Sequence, residues 1–209
     1  MTQSLVVALL GAESTGKTTL AAQLGESLRS QGHAVAVVPE YLREFCDREG
    51  RTPHQDEQRH IAEEQTRRVE AAASEHAVVI ADTTALMIAV YSEIVFGDTA
   101  LYTHAEAAHA RCSLTLLTAL DLPWRPDGLQ RDGPQVRAPV DALVRSALAR
   151  AGLPYSVVFG SGESRLQSAL ASVQRALNPP QELAEHARWH WVCERCGDAA
   201  CERHRLPKF

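Results

Sequence analysis

A chain of 209 residues is long enough for one α/β domain with a buried core and too short for a second full domain, so one domain with a small appendage is expected. A formal charge of -5 leaves no basic footprint, which sets nucleic acid aside as a partner and favours a small molecule. No apolar run reaches the roughly 18 residues of a membrane helix, the opening "MTQS" lacks the positive region of a signal peptide, and five cysteines read as cytoplasmic thiols rather than a disulfide framework.

Short apolar runs alternate with segments of helical period, the pattern of a parallel sheet covered by helices on both faces. The strands fall near 4–10, 34–38 ("AVAVV"), 77–81 ("AVVIA"), 113–118 ("SLTLLT") and 155–159 ("YSVVF"). The fold class is therefore α/β, a three-layer sandwich around a five-stranded parallel sheet. The first helix is expected over 17–30, with Leu20, Leu24 and Leu28 on one stripe and Gly32 closing it. The next is announced by "TPHQ", with Thr52 as cap and Pro53 in the first turn, and runs to Ser74. Its many charges read as a solvated face laced with i,i+4 pairs. Two more helices are expected over 85–96 and 99–111. The stretch 121–137, "DLPWRPDGLQRDGPQVR", holds three prolines, two glycines and three arginines and reads as a lid. Pro139 then opens a helix ended by Gly152, and a last helix covers 163–177. "NPP" at 178–180 marks the boundary between a domain over 1–178 and a tail over 179–209.

"GAESTGKTTL" follows the first strand and fits G-x-x-x-x-G-K-[ST] through Gly11, Gly16, Lys17 and Thr18. A loop of this kind offers backbone N–H groups to phosphate at a helix N-terminus, where the helix dipole also favours negative charge. Gly11, Glu13, Ser14, Thr15, Gly16, Lys17, Thr18 and Thr19 form the candidate nucleotide site. Lys17, expected to be exposed in the empty loop, supplies a point charge to the β and γ phosphates, and the Thr18 hydroxyl is placed to ligate Mg²⁺. A metal-bound triphosphate also needs an acidic partner at the end of another strand. "VVIADTT" offers Asp82, which either ligates Mg²⁺ or caps the following helix. "VVPEY" sets Glu40 and Tyr41 past the second strand, at the edge where open α/β sheets bind ligands. A carboxylate there is a substrate ligand or a base for an attacking hydroxyl, and the plainer alternative is an ion pair with Arg43. Within the lid, Arg125, Arg131 and Arg137 are candidates to close on the γ-phosphate, with Arg125 ranked last. Trp124 is either a stacking platform for a base or a hydrophobic plug.

The combination of "GAESTGKTTLA", "PEYLREF", "IADTTALMIAVYSEIVFG" and "LDLPWRPDGLQRDG" followed by "RAPVDALVRSAL" resembles the ribosylnicotinamide kinase domain of bacterial NAD-regulatory proteins and its stand-alone AAA-type ATPase relatives, over about residues 4–177. The resemblance implies a P-loop nucleoside-kinase-like fold that phosphorylates a ribosyl hydroxyl with ATP and Mg²⁺. It makes nicotinamide riboside the first substrate to test. It also implies that Lys17, Asp82, Glu40, Arg131 and Arg137 act in transfer, and that Glu40, Tyr41, Arg43, Trp124 and Asp127 meet the acceptor. The family usually has Arg directly after "DGL", where this chain has Gln130 and then Arg131, and an aromatic residue where this chain has Pro39. Without the DNA-binding and adenylyltransferase parts of the trifunctional relatives, one step of NAD synthesis is expected. Two alternatives stay open: a kinase of another nucleoside or metabolite, and a regulatory ATPase acting on a protein partner through the tail. A GTPase is disfavoured because no N-K-x-D guanine-reading motif occurs.

The tail carries Cys193 and Cys196 as C-x-x-C and Cys201 with His204 as C-x-x-H, a Cys₃His set of the kind that binds structural Zn²⁺. A redox C-x-x-C is the rival reading.

Overall fold

A computed structural model describes residues 4–125 and 133–178. Five parallel strands form one sheet: β1 (Leu5–Leu10), β2 (Val35–Val38), β3 (Val78–Asp82), β4 (Leu114–Thr118) and β5 (Ser156–Val158), in the order β2-β3-β1-β4-β5. All pairings are parallel, and the register sets Leu9 against Asp82 and Leu10 against Leu117. β1 lies at the centre with buried residues on both faces, which is why "LVVALL" reads as a continuous apolar run rather than an alternating one.

The pleat of β1 divides the core between the two sheet faces. Val7 and Leu9 meet α1 (Lys17–Ser30) and α7 (Gly162–Leu177) through Leu20, Leu24, Leu28, Ala169 and Val173. Leu10 belongs to the opposite layer, built from α2 (Tyr41–Glu49), α4 (Ala85–Phe96), α5 (Tyr102–His109) and α6 (Arg137–Arg150), with Ile61 of α3 (Gln58–Glu75). Every residue from Ala85 to Val90 is buried, so α4 is apolar on all sides because helices surround it.

The chain departs from the sequence expectations at four places. α2 is a helix of nine residues that the periodicity did not announce; it buries Tyr41, Leu42, Phe45 and Cys46 and ends at Gly50 with φ 65. Thr52 is not a cap: a 3₁₀ turn over Gln55–Glu57 precedes α3, the Glu57 carboxylate accepts from the His54 N–H at 2.7 Å, and Arg51 holds the same carboxylate through two bonds of 2.7 Å. α6 opens at Arg137 after a 3₁₀ turn over Pro134–Val136, so Pro139 sits within the first turn, where its missing N–H costs nothing. α5 is shorter than the span 99–111. On α3 the charges do pair, Glu64 with Arg67 and Arg68, and Arg68 also reaches Glu44 on α2. Cys46 and Cys112 form no disulfide among the described residues. No helix among the described residues is long and apolar enough to cross a membrane.

Candidate active site

The carboxyl end of β1 passes directly into the phosphate loop. Gly11 has φ 146, and a Cβ there would lie 2.1 Å from Thr118 Oγ1, so β4 crowds the loop entrance against any side chain. Thr118 Oγ1 donates to the Leu10 carbonyl at 3.1 Å and shares a 2.7 Å hydrogen bond with Thr15 Oγ1; Thr15 Oγ1 also lies 2.8 Å from the Ala12 carbonyl. Gly16 precedes α1 with φ 77 and supplies no side-chain cap. The first-turn N–H groups therefore point out of the helix with no side chain of the cap residue on them, the arrangement an anion requires.

Lys17 is half-buried rather than exposed, a correction to the sequence expectation. Its ammonium folds back to donate to the carbonyls of Gly11 at 2.9 Å and Ala12 at 3.0 Å. Those carbonyls hold the charge over the loop where phosphate would replace them.

A cavity of about 460 Å³ opens over this loop, walled by Ser14, Thr15, Gly16, Lys17, Thr18 and Thr19 together with Arg43, Leu122, Pro123 and Arg125. Among the described residues its lining has three cationic side chains and no carboxylate. That charge balance suits a polyphosphate. Arg125, the arginine ranked last from the sequence, reaches this wall because its main chain is fastened to the loop: Ser14 Oγ accepts from the Arg125 N–H at 2.8 Å and lies 3.1 Å from the Arg125 carbonyl. Trp124 lies between two wall residues, and its indole Nε1 is buried with no hydrogen-bond partner among the described residues.

Arg137 is placed differently from the expectation of a lid residue. It opens α6, is 8% exposed, and donates to the Leu122 carbonyl at 2.9 Å, while Nε and Nη2 are buried without partners among the described residues. Asp127, Arg131, Cys193, Cys196, Cys201 and His204 lie outside the described residues. Among the described residues no cluster of His, Cys, Asp and Glu suits a metal ion.

Asp82 ends β3 and is 2% exposed, with Oδ1 lacking a partner among the described residues. It is not the cap of α4. That position belongs to Thr84, whose hydroxyl accepts from the Leu86 N–H. A buried carboxylate oxygen left open at a strand end, with the Thr18 hydroxyl exposed in the first turn of α1, is a hard oxygen set that fits Mg²⁺.

Glu40 sits at the N-terminal boundary of α2, its side chain 13% exposed and its Oε2 3.8 Å from Arg43 Nε. Arg43 thus connects the segment after β2 to the phosphate cavity. The Tyr41 ring is buried, with the Arg68 guanidinium 4.4 Å from its centroid and His60 edge-on, so it packs α2 against α3.

Several site residues were invisible in the sequence. Arg165, near the start of α7 and 4% exposed, donates to the Thr15 carbonyl at 2.8 Å, to the Gly160 carbonyl at 2.8 Å and to Asp121 Oδ1 at 2.9 Å. Burial pushes the Asp121 carboxyl up, but the Gly160 N–H and the Arg165 guanidinium outweigh it and hold the group below its ordinary range. Gln65 and His109 are likewise buried polar groups behind the site. A lone Arg, Gln or His on a helix carries no local signal of such a role.

Comparison with known proteins adds the lineage of this architecture. A crystal structure of NadR protein in complex with NR aligns with a TM-score of 0.70 at 21% identity, covering 84% of this chain and 51% of that one. A second, of NadR protein in complex with NAD and AMP-PNP, gives 0.67 at 22%, covering 83% and 49%. This chain thus spans about half the length of those proteins. Thymidylate kinase from Ehrlichia chaffeensis gives 0.57 at 13%, covering 83% and 98%. At these identities the likeness establishes a shared P-loop kinase fold. Curated proteins give no match. The model of the AAA domain family matches residues 6–165, well over half of the chain, and this protein belongs to that family.

Proposed function

We propose that this chain is an ATP-dependent kinase that phosphorylates a ribosyl hydroxyl of a nucleoside-like small molecule, with nicotinamide riboside as the first acceptor to test. The observation that carries the proposal is the position of Arg43. It walls the phosphate cavity and its Nε lies 3.8 Å from Glu40 Oε2, which supports reading the shielded Glu40 carboxylate as the acceptor's ligand near the transferred phosphate. A site that only activates water needs no acceptor group at that edge, whereas a transferase does, and Glu40 offers a carboxylate there. The fold shared with NadR structures that hold NR and AMP-PNP supports the same reading.

In the proposed reaction the loop N–H groups and Lys17 bind the β and γ phosphates, with Lys17 exchanging its two carbonyl partners for phosphate oxygens. Glu40 orients the acceptor hydroxyl and receives its proton as the oxygen attacks the γ-phosphorus. The bond from phosphorus to the β–γ bridging oxygen breaks, and ADP leaves with that electron pair. Arg43 and Arg125 stabilise the charge spreading over the transferred group. Mg²⁺, which Thr18 and Asp82 would hold, supplies charge neutralisation of the phosphate oxygens. Such a reaction belongs in the cytoplasm, where ATP is held.

The test is a coupled assay of ADP release with ATP, Mg²⁺ and a panel of nucleosides that includes nicotinamide riboside. Stimulation by one acceptor is expected. A rate unchanged by every acceptor would favour the regulatory ATPase over the kinase.

A further inference from the structure

Gln65 is completely buried in the middle of α3, yet its amide spends both of its donors and one acceptor position on backbone groups of two other segments. Oε1 accepts from the Tyr41 N–H at 2.8 Å, and Nε2 donates to the Pro39 carbonyl and to the Thr83 carbonyl, each at 3.3 Å. Pro39 and Tyr41 are the residues on either side of Glu40, and Thr83 directly follows Asp82. One side chain therefore brackets the candidate acceptor ligand and ties that bracket to the candidate metal ligand.

The segment beyond β3 needs such a tie. Thr83 has φ 87, a left-handed conformation that a β-branched residue adopts only at a cost of order 1–3 kcal/mol and only where its surroundings impose it. Its N–H is fixed to the Leu9 carbonyl of β1 at 3.1 Å, and Gln65 fixes its carbonyl. With both ends of Thr83 held, the peptide that follows Asp82 has one available orientation. The turn after β2 is held in the same way, through the two backbone groups that flank Glu40.

Building on the kinase reading, we infer that Gln65 is a positioning residue, which sets the spacing between the Glu40 carboxylate at the acceptor and the Asp82 carboxylate at the nucleotide. It touches neither ligand. Its effect is carried by three backbone hydrogen bonds, and an error of about 1 Å in such a spacing costs on the order of 100-fold in rate. Isosteric glutamate is the informative replacement. Ionised, it keeps an acceptor for the Tyr41 N–H and loses both donations; protonated, it regains one donor.

The experiment compares the full-length wild type, Gln65→Leu and Gln65→Glu in steady-state kinetics and in hydrogen exchange at Tyr41. For Gln65→Leu, kcat/KM for the acceptor should fall roughly 10- to 100-fold while KM for ATP stays about the same. Gln65→Glu should recover acceptor turnover as pH is lowered, a profile absent from the wild type. The Tyr41 amide should exchange faster in Gln65→Leu and keep its protection in Gln65→Glu. Variants that turn over the acceptor as the wild type does, an equal loss for ATP and acceptor, or unchanged Tyr41 exchange in Gln65→Leu would overturn the inference. A wild type that phosphorylates no acceptor defeats the kinase reading instead, and the exchange data then decide the role of Gln65 by themselves.

Discussion

Lys17 shows how much of a site can be stored in one side chain before its ligand arrives. Its two hydrogen bonds to the Gly11 and Ala12 carbonyls keep a cation above the loop, so in the proposed reaction phosphate would exchange partners with a charge already in place. For Lys17→Ala this predicts a loss of turnover of roughly 10²–10³-fold or more. The accompanying loss of stability is about 1 kcal/mol, since the bonds given up are ordinary and partly exposed. Turnover and thermal unfolding measured on the same preparation check both figures, and near-normal turnover would remove Lys17 from the mechanism. Glu40→Gln and Asp82→Asn should fail differently. The first acts on acceptor kinetics alone, whereas the second depresses the rate with every acceptor and raises the Mg²⁺ requirement. An acceptor KM and kcat unchanged in Glu40→Gln would mean that the acceptor lies elsewhere.

At the scale of elements, the packing of α1 on β2 rests on a missing side chain. A Cβ on Gly25 would lie 2.6 Å from Val37 Cγ2, so the helix comes closer to the strand than any other residue permits. Gly25→Ala gains about 1 kcal/mol of helix propensity, and overpacking costs roughly 1–3 kcal/mol. The expected outcome is net destabilisation, seen as a lowered Tm, and a raised Tm would show that β2 yields without strain. The elements legible in the sequence are those whose cause is local. The β1 run, the leucine stripe of α1 and the apolar span of α4 carry their period or length on their face, and α4 lies where it was expected. The periodicity did not announce α2 because the helix has only nine residues, five of them charged, around its buried Tyr41, Leu42, Phe45 and Cys46. The cap expected at Thr52 was displaced by the grip of Arg51 and His54 on Glu57, a contact that composition does not reveal.

Over the whole molecule, the site joins segments far apart in the chain, and this limited what the sequence could disclose. The phosphate loop was readable because its glycines, Lys17 and Thr18 are contiguous. Its supports were not: Thr15 meets Thr118 across 103 positions and Arg165 across 150. His109 is a support of the same kind, buried between the hydroxyls of Thr84 and Thr115 at 2.9 Å each. Burial holds its pKa near about 4, below the ordinary 6.5, so the native state keeps the ring neutral where the unfolded chain already binds a proton. Stability should therefore be unaffected by this group above pH 6.5 and decline as pH falls from there through 4, by roughly 3 kcal/mol at most. Denaturant melts of wild type and His109→Gln across that range should show a steeper acid loss in the wild type, and parallel pH dependences would contradict a buried neutral ring. The fate of the γ-phosphoryl group is read by mass spectrometry of the products formed from ATP, Mg²⁺ and nicotinamide riboside or another stimulating nucleoside. A kinase places one phosphoryl group on the acceptor for each ADP formed, with little inorganic phosphate; release of all the γ-phosphate to water, whatever acceptor is present, would overturn the kinase reading.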